Sequence, residues 1–506
     1  MINNTVSKPK RHSQRTEKLA RSLEAKQIYE WLVTIGYFPE AYVLPPCFSV
    51  EKHPPYGTHY FPINNNKYKP DISQVCELHF PKSELTDRTF GIIDPKIHND
   101  IAFEFAQNWH VLLDILFNPD KHIYSYSFPI PLDASNQGHL GKLRSGRMIY
   151  EYLEMAENDL VEEAYRYKYI IQTDIKNFYP SIYTHSIAWA FHTKVTIRSD
   201  NNRFNNQLLG NRLDKLFQNA NDGCTNGLPI GPVVSDLISE VILSAIDREI
   251  SKKVDQYDIL ALRFKDDYRF LCKSKNDCRK IIKTLQQELK GFNLLLNEDK
   301  TRIKELPEGI FREWVSKYHQ ISPRKGKKLS FKQFKEFYLG VLNIDKEHPG
   351  TGIMDRFIAD LTDKEYKPLI STEPKCLTKS ISLLLLLAER RIKTFPKILG
   401  LIESMMFQSN RQDTRDLIEK HLKLMLKNLK GNSEENRYLI SWILYFLKSN
   451  NFTVRGMRNF NHSILDSIKS NRNLLFNNCT DFKLHRNISK TKAKGSLLYH
   501  LDIFRP

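Results

Sequence analysis

Cysteine is sparse in this chain, and no two cysteines stand at metal-ligand spacing. There are seven, an odd number, scattered without any CxxC pair. That signals neither a disulfide framework nor a zinc site; a reducing cytoplasm is the expected setting. Long hydrophobic runs are missing too. The longest, ISLLLLLA from Ile381 to Ala388, falls far short of the ~20 residues that span a bilayer. It reads as a buried helix segment, and no membrane partner is expected. The opening MINNTVSKPKRHSQRTEK has no apolar core of the kind a secretory signal needs. Acidic residues are the minority charge, 58 Asp+Glu against 76 Lys+Arg, for a formal net charge of +18. The excess points to a polyanion, with nucleic acid or nucleotides the leading class. The plainer reading is a basic protein kept soluble by its charge.

What is present divides the chain. At 506 residues it is too long for one ordinary core. The first dozen residues are polar and basic, expected to be loose. Leu19, Leu23, Ile28 and Leu32 then recur at near-helical spacing between Ser13 and Ile35. Gly36 reads as the stop, and GYFPEAYVLPPCF as an extended segment. Between 165 and 305 the pattern is strongest. YKYIIQTDI predicts a strand, VVSDLISEVILSAIDREI a long helix opening near Pro232, and ILALRFKDDYRFLC a β-hairpin turning near Lys265 and Asp266. DCRKIIKTLQQELKGF predicts an amphipathic helix, and LLLNEDKT a strand followed by a turn. After about 350, amphipathic helices follow one another, among them Phe395–Phe407, Thr414–Lys430 and Glu435–Lys448. Helices that cannot bury their faces alone suggest a bundle or a repeat stack.

Three acids carry the chemistry. Asp174 ends an apolar strand, sharing a face with Ile170 and Gln172. A lone Asp there more often begins a turn or caps a helix. Asp266 and Asp267 form a doublet in an aromatic stretch where strands disfavour Asp. If both segments join one antiparallel sheet, three carboxylates converge and repel unless cations are present. Mg²⁺ takes oxygen ligands of this kind, and two such ions serve phosphoryl transfer. The third element is NGLPIGPVVSDL, where Gly227 and Gly231 allow close backbone approach to a nucleotide or base pair and Ser235 opens the helix beside the sheet. Alone, such a Gly-Pro loop is common.

In order, DIKNFYPSIY, LPIGPVVSDL, FKDD and LNEDKT resemble the palm motifs of reverse transcriptases: the lone metal-binding Asp, the LPQGxxxS loop, the YxDD box and the strand–turn with a lysine. With GYFPEAYVLPPCF, SFPIPLDASNQGHLGKLR and the helical C-terminal region, the likeness narrows to the bacterial abortive-infection reverse transcriptases of AbiK type and their prophage-encoded relatives. That resemblance implies an α+β right-hand polymerase followed by an all-α helical-repeat (HEAT-like) domain. Its expected boundaries are 1–45 for a basic, helical N-terminal segment, 46–165 for fingers, 166–345 for the palm and 346–506 for the helical part. It also implies a DNA polymerase primed by a protein tyrosine without need of a template, a homo-oligomer, and phage defence in the bacterial cytoplasm. The partners it implies are dNTPs, a single-stranded DNA product attached to the protein, and an RNA or DNA template if one is used.

Carried over by residue, Asp174 and Asp266 are the principal Mg²⁺ ligands, with Mn²⁺ an alternative. Asp267 is the third carboxylate, and the Ile175 carbonyl completes a site. Tyr179 matches the aromatic that excludes a ribose 2′-OH, or else simply packs in the core. Lys300 matches the lysine that protonates or screens departing pyrophosphate, or else is an exposed loop lysine. Gly231 and Ser235 fall on the nucleotide side. Lys142, Arg144 and Arg147 precede the palm where cations grip a triphosphate, and the sequence does not choose among them. Nor does it choose a priming tyrosine among 23; Tyr29, Tyr37 and Tyr42 lie in the N-terminal part. Two motifs depart from the family pattern. Phe264 replaces the Tyr of YxDD, Ile230 replaces the Gln of LPQG, and Asp236 stands where many relatives have Pro. These positions normally touch the primer end or the templating pair, so the ligands are intact while templated copying is less secure. A templated RNA-directed DNA polymerase and a catalytically silent nucleic-acid scaffold are the competing readings. An FLG-like string at Phe337–Gly340 could be a primer grip, and the basic strings 323–328 and 483–494 could track phosphates or be exposed loops.

Overall fold

The computed structural model describes residues 6–64, 66–81, 86–132, 146–323, 326–454, 460–476, 479–492 and 497–501, with backbone alone at 146–152 and 492. Among them are nine strands: β1 (Phe48–Lys52), β2 (Cys76–Pro81), β3 (Asp87–Ile92), β4 (Ile123–Ser125), β5 (Tyr169–Thr173), β6 (Leu260–Phe264), β7 (Asp267–Cys272), β8 (Arg302–Glu305) and β9 (Lys483–His485). Five make the central sheet, in the order β4-β6-β7-β5-β8. β5 sits between β7 and β8, antiparallel to both, and β6 and β7 form the predicted hairpin.

The sheet is covered on both faces because its strands alternate two apolar sets. Ile171, Tyr268 and Phe270 pack in one core with the helix Val233–Val254, while Ile170, Leu260, Leu262 and Leu271 join Ala156 and Leu160 of the helix Gly146–Ala164 in another. Burying each large side chain contributes about 1.5–3 kcal/mol. The helix Val233–Val254 is buried on nearly every side, not along one face. It therefore carries Glu240, Ser244 and Asp247 inside as well.

Strands β2 and β3 present Leu78, Phe80, Phe90 and Ile92 on one side, and the C-terminal helices cover it. Those four residues share a core with helices between 331 and 501, and the Phe80 and Tyr438 rings meet edge-on at 4.8 Å. Strand β9 pairs with β1, joining sequence ends more than four hundred residues apart. So the region after 346 is rich in helices but not purely helical.

Other expectations change in detail. The N-terminal helix begins at Lys8 rather than after residue 12, and a second, Ala25–Thr34, follows it. The break between them is fixed by Glu24 and Gln27, whose side chains cap each other's backbone N–H groups. GYFPEAYVLPPCF folds into turns instead of an extended segment. In LLLNEDKT a single bridge at Leu296 and a short 3₁₀ turn, Glu298–Lys300, replace the strand, which forms afterwards as β8. Phe337–Gly340 lies inside the helix Phe331–Glu347, with Gly340 packed on Ile321. The 483–494 string supplies β9 rather than a loop; residues 324–325 and 493–496 lie outside the described residues. No described helix is long and apolar enough to cross a membrane.

Candidate active site

Strand pairing brings the three acids to one place. In the register of β5 with β7, Thr173 pairs with Tyr268, so one step further Asp174 comes opposite Asp267. Asp174 is buried, and its Oδ1 has no hydrogen-bond partner. Its Oδ2 accepts from Lys300 Nζ. The backbone around Ile175 is pinned to the segment before Lys300: Lys176 N donates to Leu295 O at 2.8 Å and Asn297 N to Asp174 O at 2.9 Å. Thr173 and Thr301 join hydroxyls at 2.7 Å. Lys300 is thus delivered to the acids, and the Asp174 carboxylate holds its ammonium above the ordinary lysine value.

Asp266 sits in a two-residue turn, because Phe264 pairs with Asp267. The other turn residue, Lys265, has φ +50°, a left-handed conformation unfavourable for a residue with a long side chain. Both of its backbone groups are held from beneath. Its N–H donates to Ser127 Oγ at 2.8 Å and its C=O accepts from Arg263 Nη1 at 2.8 Å. Arg263 is fully buried; its guanidinium also bonds both Glu240 oxygens, at 2.9 and 3.1 Å, and Asp247 at 3.0 Å. Ser127 donates to Glu240 at 2.7 Å and Tyr268 to Asp247 at 2.9 Å. Burial opposes the Arg263 charge, yet Asp247 and Glu240 keep it firmly protonated. The clamp escaped sequence reasoning. Its signal was an Arg at an inward strand position, plus two acids seven residues apart on the buried stretch of one helix.

Burial raises the Asp266 carboxyl, and Asp174 raises it further. Asp267 is pushed up to about 7, by the surrounding protein first and by Asp266 and Asp174 next. Asp267 is exposed to solvent at its turn. Among the described residues no group of three or more His, Cys, Asp or Glu side chains is placed to hold a metal ion. The unpartnered Asp174 oxygen and the raised Asp266 and Asp267 carboxyls nevertheless suit hard divalent cations, which take oxygen ligands and complete their shells with water or phosphate.

Tyr179 lies on the short helix Phe178–Ser181, directly after Asn177 at φ +47°. Its hydroxyl donates to Asp236 Oδ1, and burial followed by the Asp236 charge raises it well above the usual tyrosine value. Gly231 has φ +130°, and a Cβ there would stand 2.9 Å from Pro39 and 3.2 Å from Phe90. The close approach it permits in this structure is to the chain's own N-terminal region. Ser235 is fully buried with no partner for its hydroxyl. Lys142 and Arg144 lie outside the described residues, as does the Arg147 side chain, whose backbone is in the helix Gly146–Ala164.

Residues 129–341 match the family model described as reverse transcriptase (RNA-dependent DNA polymerase). This matched segment holds all three acids, the LPIG loop and Lys300. Solved structures similar to the chain include apo telomerase from Candida tropicalis, 13% identical over 76% of this chain and 70% of that one, with a TM-score of 0.34. A form of it truncated from its C-terminal domain is 16% identical over 48% of this chain, TM-score 0.32. Telomerase from Candida albicans in complex with a TWJ fragment of telomeric RNA is 12% identical over 74% of this chain and 64% of that one, TM-score 0.29. The chain spans about half, 52%, of the truncated telomerase. No curated protein matches.

Proposed function

We propose that this protein is a DNA polymerase that adds dNTPs to a hydroxyl primer, and that it acts as an abortive-infection enzyme primed by one of its own tyrosines without a template. The observation that carries the polymerase reading is the β5–β7 register, which sets Asp174 against the Asp266–Asp267 turn. Asp174, Asp266 and Asp267, with the Ile175 carbonyl, would hold two divalent cations. When bound, these lower the pKa of the attacking hydroxyl and neutralise charge on the α-phosphate. The chain's own groups do the rest. Lys300, already at Asp174 and kept protonated, supplies a proton or a countercharge to the leaving pyrophosphate. Tyr179 fills the space a ribose 2′-OH would need. Lys142, Arg144 and Arg147 would grip the triphosphate, and Gly231 and Ser235 would border the nucleotide.

Phe264, Ile230 and Asp236 support the untemplated reading, since they depart from the family where the primer end and templating pair are touched. Ile230 is moreover bridged to Phe90 and accepts from Gly91 N at 2.9 Å, so its backbone is committed to the protein. The family match over 129–341 supports the alternative, templated copying of RNA. Abortive infection, homo-oligomerisation and repeat-like helices rest on the sequence resemblance.

Purified protein with dNTPs and Mg²⁺ but no nucleic acid is expected to make DNA that partitions with protein in phenol until protease is added. Mass spectrometry would locate the nucleotide-bearing tyrosine. Product only with an added RNA template and primer would favour the templated enzyme. Unchanged biological activity in Asp266→Ala would favour a scaffold.

A further inference from the structure

One carboxylate outside the three acids touches two of the motifs at once. Asp236 lies in the first turn of the helix Val233–Val254. Its Oδ1 accepts from the Tyr179 hydroxyl and stands 3.7 Å from Lys265 Nζ, beside Asp266. Ser239, one turn on, places its Oγ 3.4 Å from the same hydroxyl and bonds the Asp236 carbonyl at 2.8 Å. The Tyr179 backbone is held from the same quarter, its carbonyl accepting from Leu228 N at 3.0 Å. The residue is therefore fixed at both ends by the LPIG loop and the helix it opens.

A phenol ring fixed only at its Cβ can turn about two side-chain bonds. Fixed also at its hydroxyl, which lies on the Cβ–Cγ axis, the ring can still turn about that axis but can no longer swing about Cα–Cβ. Excluding one extra hydroxyl from a sugar depends on a wall that does not yield, and a ring that swings makes room. We propose that Asp236 is a positioning residue that locks the Tyr179 ring and thereby sets discrimination between deoxyribo- and ribonucleoside triphosphates. In this role Asp236 acts through Tyr179. The inference rests on the reading of this site as a dNTP-polymerising centre.

The test uses the full-length protein and two readouts: incorporation of dNTPs against NTPs, split into kcat and KM, and equilibrium binding of a dNTP against its NTP. Asp236→Ala should lower the dNTP preference about tenfold to a hundredfold, chiefly by lowering the KM and the dissociation constant for the NTP. Asp236→Asn, whose amide oxygen still accepts from Tyr179, should retain most of it. Tyr179→Phe should lose as much as Asp236→Ala, and the double variant no more than either alone, because both remove one shared bond. A preference unchanged in Asp236→Ala, or losses that simply add, would overturn the proposal. If the wild type polymerises neither substrate, the polymerase reading fails, and the binding ratios still judge the lock by themselves.

Discussion

Lys300 Nζ bonds one oxygen of Asp174 and leaves the other, Oδ1, buried without a partner. A buried, unsatisfied carboxylate oxygen beside two more acids is costly until a cation arrives. Millimolar Mg²⁺ or Mn²⁺ should therefore raise the melting temperature by a few degrees, through preferential binding to the folded chain. Asp174→Ala should abolish that shift and reduce nucleotide addition by more than about a hundredfold. Differential scanning fluorimetry with and without metal makes the check. A metal-independent melting temperature in the wild type would count against the three acids as a cation site.

The turn bearing Asp266 depends on a hydroxyl outside the motifs. Ser127→Ala removes the acceptor for the Lys265 N–H and a donor to Glu240. The expected cost is about 1–3 kcal/mol by urea unfolding. Catalysis should drop about tenfold to a hundredfold as the turn loses its fixed geometry. Arg263→Met is harsher, since it leaves Glu240 and Asp247 buried and uncompensated; a loss of about 3–5 kcal/mol is expected.

Acid should weaken the packing of the C-terminal segments. His462, His485 and His500 are each lowered to about 4, burial being the main cause, against about 6.5 in an unfolded chain. Between those values the unfolded chain binds more protons, so stability rises with pH there and falls on acidification. The share of stability these histidines contribute should be level above pH ~6.5 and decline from there towards pH ~4, against the opposite slope from Asp267, which is raised to about 7. His485 pairs with Phe48 across β1–β9. His485→Phe should flatten part of the decline, and a slope unchanged in that variant would show that His485 contributes none of it.

Gly231→Ala tests what the LPIG loop approaches. The left-handed φ of +130° and the Cβ position 2.9 Å from Pro39 predict a destabilisation of about 1–3 kcal/mol without any ligand. Thermal unfolding of the nucleotide-free protein measures it. A variant as stable as the wild type would mean that the loop does not pack on the N-terminal region as described.

Legibility followed the range of the forces involved. Strand β5, the β6–β7 hairpin and the helices Val233–Val254 and Lys275–Gly291 were readable because alternation, helical period and turn position are local properties. The acids were readable because a doublet of like charges in an apolar strand is itself anomalous. The Lys265–Asp266 turn was placed correctly without a glycine to mark it. The motif did not reveal why Lys265 tolerates a left-handed backbone; Arg263, two residues away in β6, supplies one bond and Ser127, 138 positions away, the other.

By itself, the sequence determined β5, β6 and β7 of the central sheet, which acids they carry and in what order, since each signal lies within a few residues. Tertiary structure alone decided the rest. It chose the register that sets Asp174 opposite Asp267, and it bonded Asp236 to Tyr179 across 57 positions. It also paired β1 with β9 and covered the apolar side of β2 and β3 with helices from the far end of the chain. Such contacts depend on which apolar surfaces remain uncovered once the local elements exist, and one segment read alone does not contain that information.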